Sequence, residues 1–174
     1  EETAFTYNRV NDLDGGLMLI LSSCGRQDED EEDKLSLIPA ELDRLFALLQ
    51  LQGAYDSNAF QEMLFRISSQ IRDKGIGDIR PAFDHELITA LAKRRLTEVE
   101  EPFRYAFFKQ TGISLNTRFK RYFFARIDEF LAKELNLNMK HSISDLVSKT
   151  GSKTGFHIEH ILAHNEENVA LFEG

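Results

Sequence analysis

Residues 155–165 read Gly-Phe-His-Ile-Glu-His-Ile-Leu-Ala-His-Asn and gather three of the chain's 5 histidines beside a carboxylate. Phe156, Ile158, Ile161 and Leu162 frame them and can anchor the segment against a core. His157, Glu159 and His160 then offer two imidazole nitrogens and one carboxylate at short range. A carboxylate or imidazole holds a divalent ion, and a neutral imidazole takes a proton from water, so these residue types point to metal-assisted hydrolysis. Alternation along a strand would put His157 and Glu159 on one face and His160 on the other. A site that uses both Glu159 and His160 therefore needs a bend, with phosphate at the strand's end. The residues alone also admit a surface strand with incidental polar side chains. A helical zinc site fits less well, because His157 and His160 stand three apart rather than four.

The elements that must position this stretch read as helices. Residues 1–21 show roughly helical spacing of Tyr7, Val10, Leu13 or Leu17, and Ile20, with Gly15-Gly16 able to split the run in two. Residues 28–33, Asp-Glu-Asp-Glu-Glu-Asp, are expected to be a solvated acidic loop. A helix over 36–52 has Pro39 in its first turn and an apolar face of Leu42, Leu45, Phe46, Leu48 and Leu49. Asp56 or Ser57 caps the next, which runs to about residue 74 and pairs with it in antiparallel fashion. Pro81 opens a helix through about residue 92, followed by Lys93-Arg94-Arg95 where the dipole favours cations. Pro102 opens an aromatic helix ending near Gly112, whose rings read as core although exposed rings can stack bases. Asn116 or Thr117 caps the longest helix, through about residue 136, with Phe119, Tyr122, Phe123, Ile127, Phe130, Leu131 and Leu135 as its buried stripe. A short capped helix covers 142–149, and Gly151 to Gly155 is a flexible linker that marks a domain boundary.

Composition bounds the rest. At 174 residues and 42% hydrophobic, the chain can bury a real core. Its single cysteine, Cys24, excludes an internal disulfide and suits a reducing, cytoplasmic setting. The longest apolar run, residues 17–21, is too short for a bilayer, so no membrane partner is expected. The net charge of −8 argues against wholesale nucleic-acid binding, but it is unevenly spread. Residues 103–158 hold 10 Lys+Arg against 4 Asp+Glu; the remainder holds 11 against 25. A polyanion responds to the local field. Arg118, Lys120 and Arg121 crowd the first turns of the longest helix, where the dipole disfavours cations, and so read as phosphate contacts or as ion pairs to the acidic half. Lys149 and Lys153 flank the linker and join them as candidate nucleic-acid contacts.

The stretch FHIEHILAHNEEN resembles the opening of the HNH-type nuclease domain in GmrSD-type, modification-dependent restriction endonucleases. LDRLFALLQLQGAYDSNAFQEMLFRI and LNTRFKRYFFARIDEFLA resemble the helical region of the same family, in the same order. The resemblance implies a mainly α architecture. Residues 1–151 would form a multi-helix, bundle-like scaffold domain, and residues 152–174 would open a ββα-metal (HNH-type) nuclease domain with a short β segment. It implies Glu159 as ligand of a divalent metal such as Mg²⁺, His160 as general base, and His157 as ligand or phosphate contact. It further implies DNA, modified or not, as partner, other domains of a longer protein, and a nucleotide bound by a preceding domain. Further ligands would come from a downstream strand and helix, so the chain reads as an internal fragment incompetent for cleavage by itself. The reading of another class is a non-catalytic helical interaction or regulatory module.

Overall fold

A computed structural model describes residues 4–111, 115–151 and 153–158. Among these residues eight α-helices follow one another: α1 (Ala4–Val10), α2 (Gly16–Ser23), α3 (Glu31–Leu51), α4 (Ser57–Gln70), α5 (Ile79–Arg95), α6 (Tyr105–Thr111), α7 (Thr117–Glu134) and α8 (Ile143–Ser148), with a 3-10 turn at Ile76–Asp78 before α5. Among the described residues there is no strand. The mainly α architecture stands; residues 156–158, the described part of the expected β segment, are neither helix nor strand.

α3 is the central element and touches α1, α2, α5 and α6. Its Ile38, Leu42, Leu45, Phe46 and Leu49 are buried in one core with Phe60, Leu64 and Ile67 of α4, Phe83, Leu87 and Leu91 of α5, and Phe119 and Tyr122 of α7. The ring of Phe46 sits edge-on to Tyr55, Phe60 and Phe119, at centroid distances of 5.1, 6.2 and 5.7 Å. Such edge-to-face contacts add to the burial of apolar area.

Three caps follow from local chemistry alone. The side chains of Asp56, Asn116 and Ser142 accept from the backbone N–H of Ala59, Phe119 and Asp145, fixing the starts of α4, α7 and α8. α1 and α2 are separate, because the chain turns over residues 11–15 with Asp12 in the left-handed region at φ 55°. Gly15 lies so close to α4 that a Cβ there would meet Leu64 Cδ1 at 2.3 Å. The same glycine that breaks the helix lets α2 approach α4.

Four expectations are corrected. α3 begins at Glu31 rather than in the region of residue 36, so half of the expected acidic loop is its first turn, with Glu31, Glu32 and Asp33 at the positive end of the dipole. Pro39 consequently lies inside the helix. It deprives the Leu35 carbonyl of its helical donor, and Leu35 is on the solvent side, where that loss costs least. α6 begins at Tyr105 rather than Pro102, because the buried side chain of Gln52 donates to the Pro102 carbonyl (2.8 Å) and accepts from Arg104 N–H (2.9 Å), holding that loop out of the helix. Finally, α7 buries Phe119 and Tyr122 but leaves Ile127, Phe130, Leu131 and Leu135 at 38%, 61%, 49% and 64% exposed. α7 lies at the margin of the bundle, and no described element covers its outer side.

The C-terminal end of α5 is tied to that of α3. Arg95 donates to the Gln52 carbonyl (2.6 Å) and Arg94 to the Gly53 carbonyl (3.1 Å). Cations expected only to settle α5's own dipole thus satisfy the orphan carbonyls of α3.

At the other end of α3, buried Lys34 donates to the Ser23 carbonyl (3.0 Å) and to Asp28 (2.6 Å). The bond from Lys34, with backbone donors Asp30 and Gly25, holds the Asp28 carboxyl below the usual aspartate range. A depressed carboxyl stabilises the fold above its unfolded value and loses that contribution as pH falls through its folded value. Asp28→Asn should therefore lower the urea midpoint at neutral pH, and the gap to the parent chain should close as both are acidified below the ordinary aspartate range.

Phe60→Ala should cost about 3–5 kcal/mol in urea unfolding, against less than about 0.5 kcal/mol for Phe130→Ala on the outer side of α7.

Candidate functional site

α7 carries three of the groups singled out by sequence, Arg118, Lys120 and Arg121. Asn116 starts it by accepting from Phe119 N–H at 2.9 Å, which fixes the register of Arg118 and Arg121 in its first turns. Those two arginines line a cleft of about 450 Å³ with Thr117, Val147, Ser148 and Thr150 of the α8 end. Arg118 is tied to the N-terminal part of the chain: it pairs with Asp12 (2.6 Å) and donates to the Val10 carbonyl (2.6 Å). The ion-pair reading of Arg118 is therefore realised.

Arg121 does something else. Its guanidinium donates to the carbonyl of Phe156. The Phe156 ring packs against His141 with centroids 4.7 Å apart, and its N–H donates to the Lys149 carbonyl at 2.8 Å. The turn before it is tight: Gly155 N–H donates to the Gly151 carbonyl at 2.7 Å, and a Cβ on Gly155 would fall within 2.3–2.5 Å of the backbone at residues 150–151. Residues 153–158 thus fold back on α7 and α8. His157 and Ile158, both exposed, line a groove of about 220 Å³ with Arg121, Phe124, Asp128 and Leu146. The structure brings His157 and Arg121 together in this groove. It does not bring in Lys120, Lys149 or Lys153: Lys149 pairs with Asp145 on α8 at 2.9 Å, and Lys153 is exposed on the turn.

Glu159 and His160 lie outside the described residues. Among the described residues no group of three or more His, Cys, Asp or Glu side chains is placed to hold a metal ion. His157 and Asp128 share the groove, which by itself falls short of the oxygen-rich set that Mg²⁺ takes. The fit of a divalent ion rests on the donor chemistry of Glu159 and His160.

Sequence reasoning missed a second constellation. Asp43, buried on α3, accepts from the Tyr122 hydroxyl and from Arg126 (2.6 Å). Arg126 stands over the Tyr7 ring, 3.8 Å from its centroid, and the Tyr7 hydroxyl donates to Glu129 at 2.8 Å. Burial pushes the Asp43 carboxyl up, opposed by Tyr122 and Arg126, and pushes both tyrosine hydroxyls well above the ordinary phenol range. Tyr7 and Tyr122 therefore stay protonated donors, and the cluster has no free proton acceptor for chemistry. It is a clamp that joins α1, α3 and α7. No local pattern announces it, since Asp43 is 79 residues from Tyr122 and Tyr7 is 122 from Glu129.

No family model matches this chain, and neither a curated protein nor a solved structure matches it. Among the described residues no helix is long and apolar enough to cross a membrane.

Removing the cation from the clamp leaves a buried carboxylate unpaired, so Arg126→Met should destabilise the chain by about 3 kcal/mol in urea unfolding. Tyr7→Phe, which removes the hydroxyl that donates to Glu129, should cost about 1 kcal/mol.

Proposed function

We propose that this chain is the helical scaffold of a metal-dependent DNA endonuclease and carries the first part of its HNH-type site at the C-terminal end. The observation that supports this best is the groove in which Arg121 and His157 meet. Arg121, always charged and suited to phosphate, lines it beside His157, which precedes Glu159 and His160 in the sequence, and this supports the reading. In this reading Glu159 holds a Mg²⁺-type ion, which would polarise the phosphodiester and acidify bound water. His160 takes the proton from that water, and His157 orients phosphate or completes the ligand set. Arg118 and Arg121 line the adjoining cleft, and Lys120, Lys149 and Lys153 supply the field around it. The helical domain sets the position of the segment, because Phe156 is held by Arg121, His141 and the Lys149 carbonyl. Modified or unmodified DNA as substrate, a nucleotide-binding preceding domain and a cytoplasmic setting belong to the same proposal.

A second reading, a non-catalytic helical interaction module, is favoured by the exposed aliphatic residues Ile127, Leu131 and Leu135 of α7. That face is wide enough for a partner helix to seat on.

The test is metal-dependent cleavage of modified and unmodified DNA by the longer protein that the resemblance implies. Glu159→Ala and His160→Ala should each lower the rate at least about 100-fold, the scale of a lost general base. Arg121→Ala should lower it by a smaller factor. Unchanged cleavage in the Glu159 and His160 variants would remove the nuclease site from these residues and leave the interaction reading.

A further inference from the structure

The outward sides of α6 and α7 form one aromatic surface. On α6, Tyr105, Phe108 and Lys109 stand at i, i+3 and i+4; on α7, Lys120, Phe123 and Phe124 repeat that spacing with the lysine first. Residues so spaced share a helix face, so each helix presents two rings and one ammonium together. The rings continue from one helix to the next. Tyr105 lies 6.1 Å from Phe108, Phe108 lies 6.5 Å from Phe123, and Phe123 lies 5.9 Å from Phe124, centroid to centroid. Phe123 also stacks on buried Phe119 at an interplanar angle of 18°, which seats the ladder on the core. Its ends remain open to solvent: Tyr105 is 67% and Phe124 51% exposed.

The charge around the ladder is mainly positive, with Asp128 the acid beside Phe124. Residues 103–127 hold six Lys+Arg and no Asp or Glu, in a chain with 29 acidic residues. Among the described residues neither Lys109 nor Lys120 has an ion-pair partner. Flat apolar faces alternating with unpaired ammonium groups fit a ligand that alternates flat bases with phosphates. In a duplex the base faces are already stacked on one another, so only unpaired bases can use exposed rings. An apolar protein partner would use the rings but leave the lysines without a counter-charge.

We propose that the α6–α7 face binds single-stranded nucleic acid, with bases stacking on Tyr105, Phe108 and Phe124 and phosphates meeting Lys109 and Lys120. Phe124 belongs both to this face and to the groove that holds His157, so the two surfaces adjoin, but binding here requires no metal ion. Binding with chelator present is therefore read separately from cleavage, and either can fail without the other.

The test is fluorescence anisotropy of the 174-residue chain with labelled oligothymidylate of about 12 nucleotides, within the range of single-strand site sizes. A duplex of equal length serves as comparison, with chelator present so that no cleavage occurs. The single strand should bind more tightly than the duplex. Tyr105→Ala and Phe124→Ala should each weaken it on the order of 10-fold, the scale of one lost stacking contact. Lys120→Ala should reduce the slope of log affinity against log salt by about 0.7. Both rings are exposed, so the urea midpoints of the aromatic variants should match the parent and separate lost binding from lost folding. Absence of single-strand binding, or equal single-strand and duplex binding indifferent to both rings, would overturn the proposal. So would a concentration-dependent dimer that Phe124→Ala dissolves while oligonucleotide affinity is unchanged, because the face would then belong to a second copy of the chain.

Discussion

The buried carboxylates of α3 are the constraint from which the arrangement of the other helices follows. Burying an unpaired charge costs several kcal/mol, so a central helix that carries acids inward must be surrounded by cations. Glu41 is paired with Arg44 (2.8 Å) and with Arg80 of α5 (2.7 Å). Arg44 in turn reaches Asp84 of α5 at 2.7 Å. Asp43, two residues along and on another side, takes Arg126 and Tyr122 of α7. Apolar contacts would allow a neighbouring helix to slide by a turn, whereas a buried pair allows one register. α5 and α7 are thereby fixed against α3 by charge as well as by packing.

That arrangement determines what the C-terminal segment meets. α7 is held to α3 through Phe119, Tyr122 and Arg126, and to α1 through Arg118 and the Tyr7 cluster. α8 packs on α7, and the turn after α8 returns residues 156–158 to Arg121. His157 is therefore positioned by a chain of contacts that begins at Asp43. The clamp and the groove are linked through α7 without sharing a residue.

How far the sequence could be read depended on the distance over which each feature is determined. Capping by Asp56, Asn116 and Ser142 involves three residues and was legible. So was the existence of each helix, since apolar periodicity repeats within one element. Pro39 was misplaced because the first-turn rule describes an isolated helix, while α3 continues toward its N-terminus with acids suited to the dipole and Lys34 pinned to Ser23 and Asp28. The stripe on α7 was legible as apolar but not as exposed. Periodicity identifies a face, and only tertiary structure supplies or withholds its cover. The Asp43 cluster could not be read, because nothing local distinguishes an aspartate that will be buried from one that will not. Of the site itself, the residue types were visible in the sequence. The fold-back that sets His157 beside Arg121 was not, since the glycines that suggested a slack linker instead make a tight turn.

The outer side of α7 changes character along its length, and that gradient separates the two surfaces it carries. Its first two turns hold Lys120, Arg121, Phe123 and Phe124 with no acid, whereas the later turns set Ile127 and Leu131, with Leu135 at the cap, among three acids, Asp128, Glu129 and Glu134, and two cations, Arg126 and Lys133. Screening confines fields to about 8–10 Å at moderate salt, less than the span of the helix, so each half acts on its own surroundings. A polyanion is attracted to the first half and repelled from the second, while an aliphatic partner finds its matching surface on the second. Phe123 packs against the core, but exposed Phe124, Ile127, Leu131 and Leu135 lie largely outside it, so core packing does not account for them. A net charge of −8 thus coexists with a basic, aromatic face, because the acids that set the total lie on other elements.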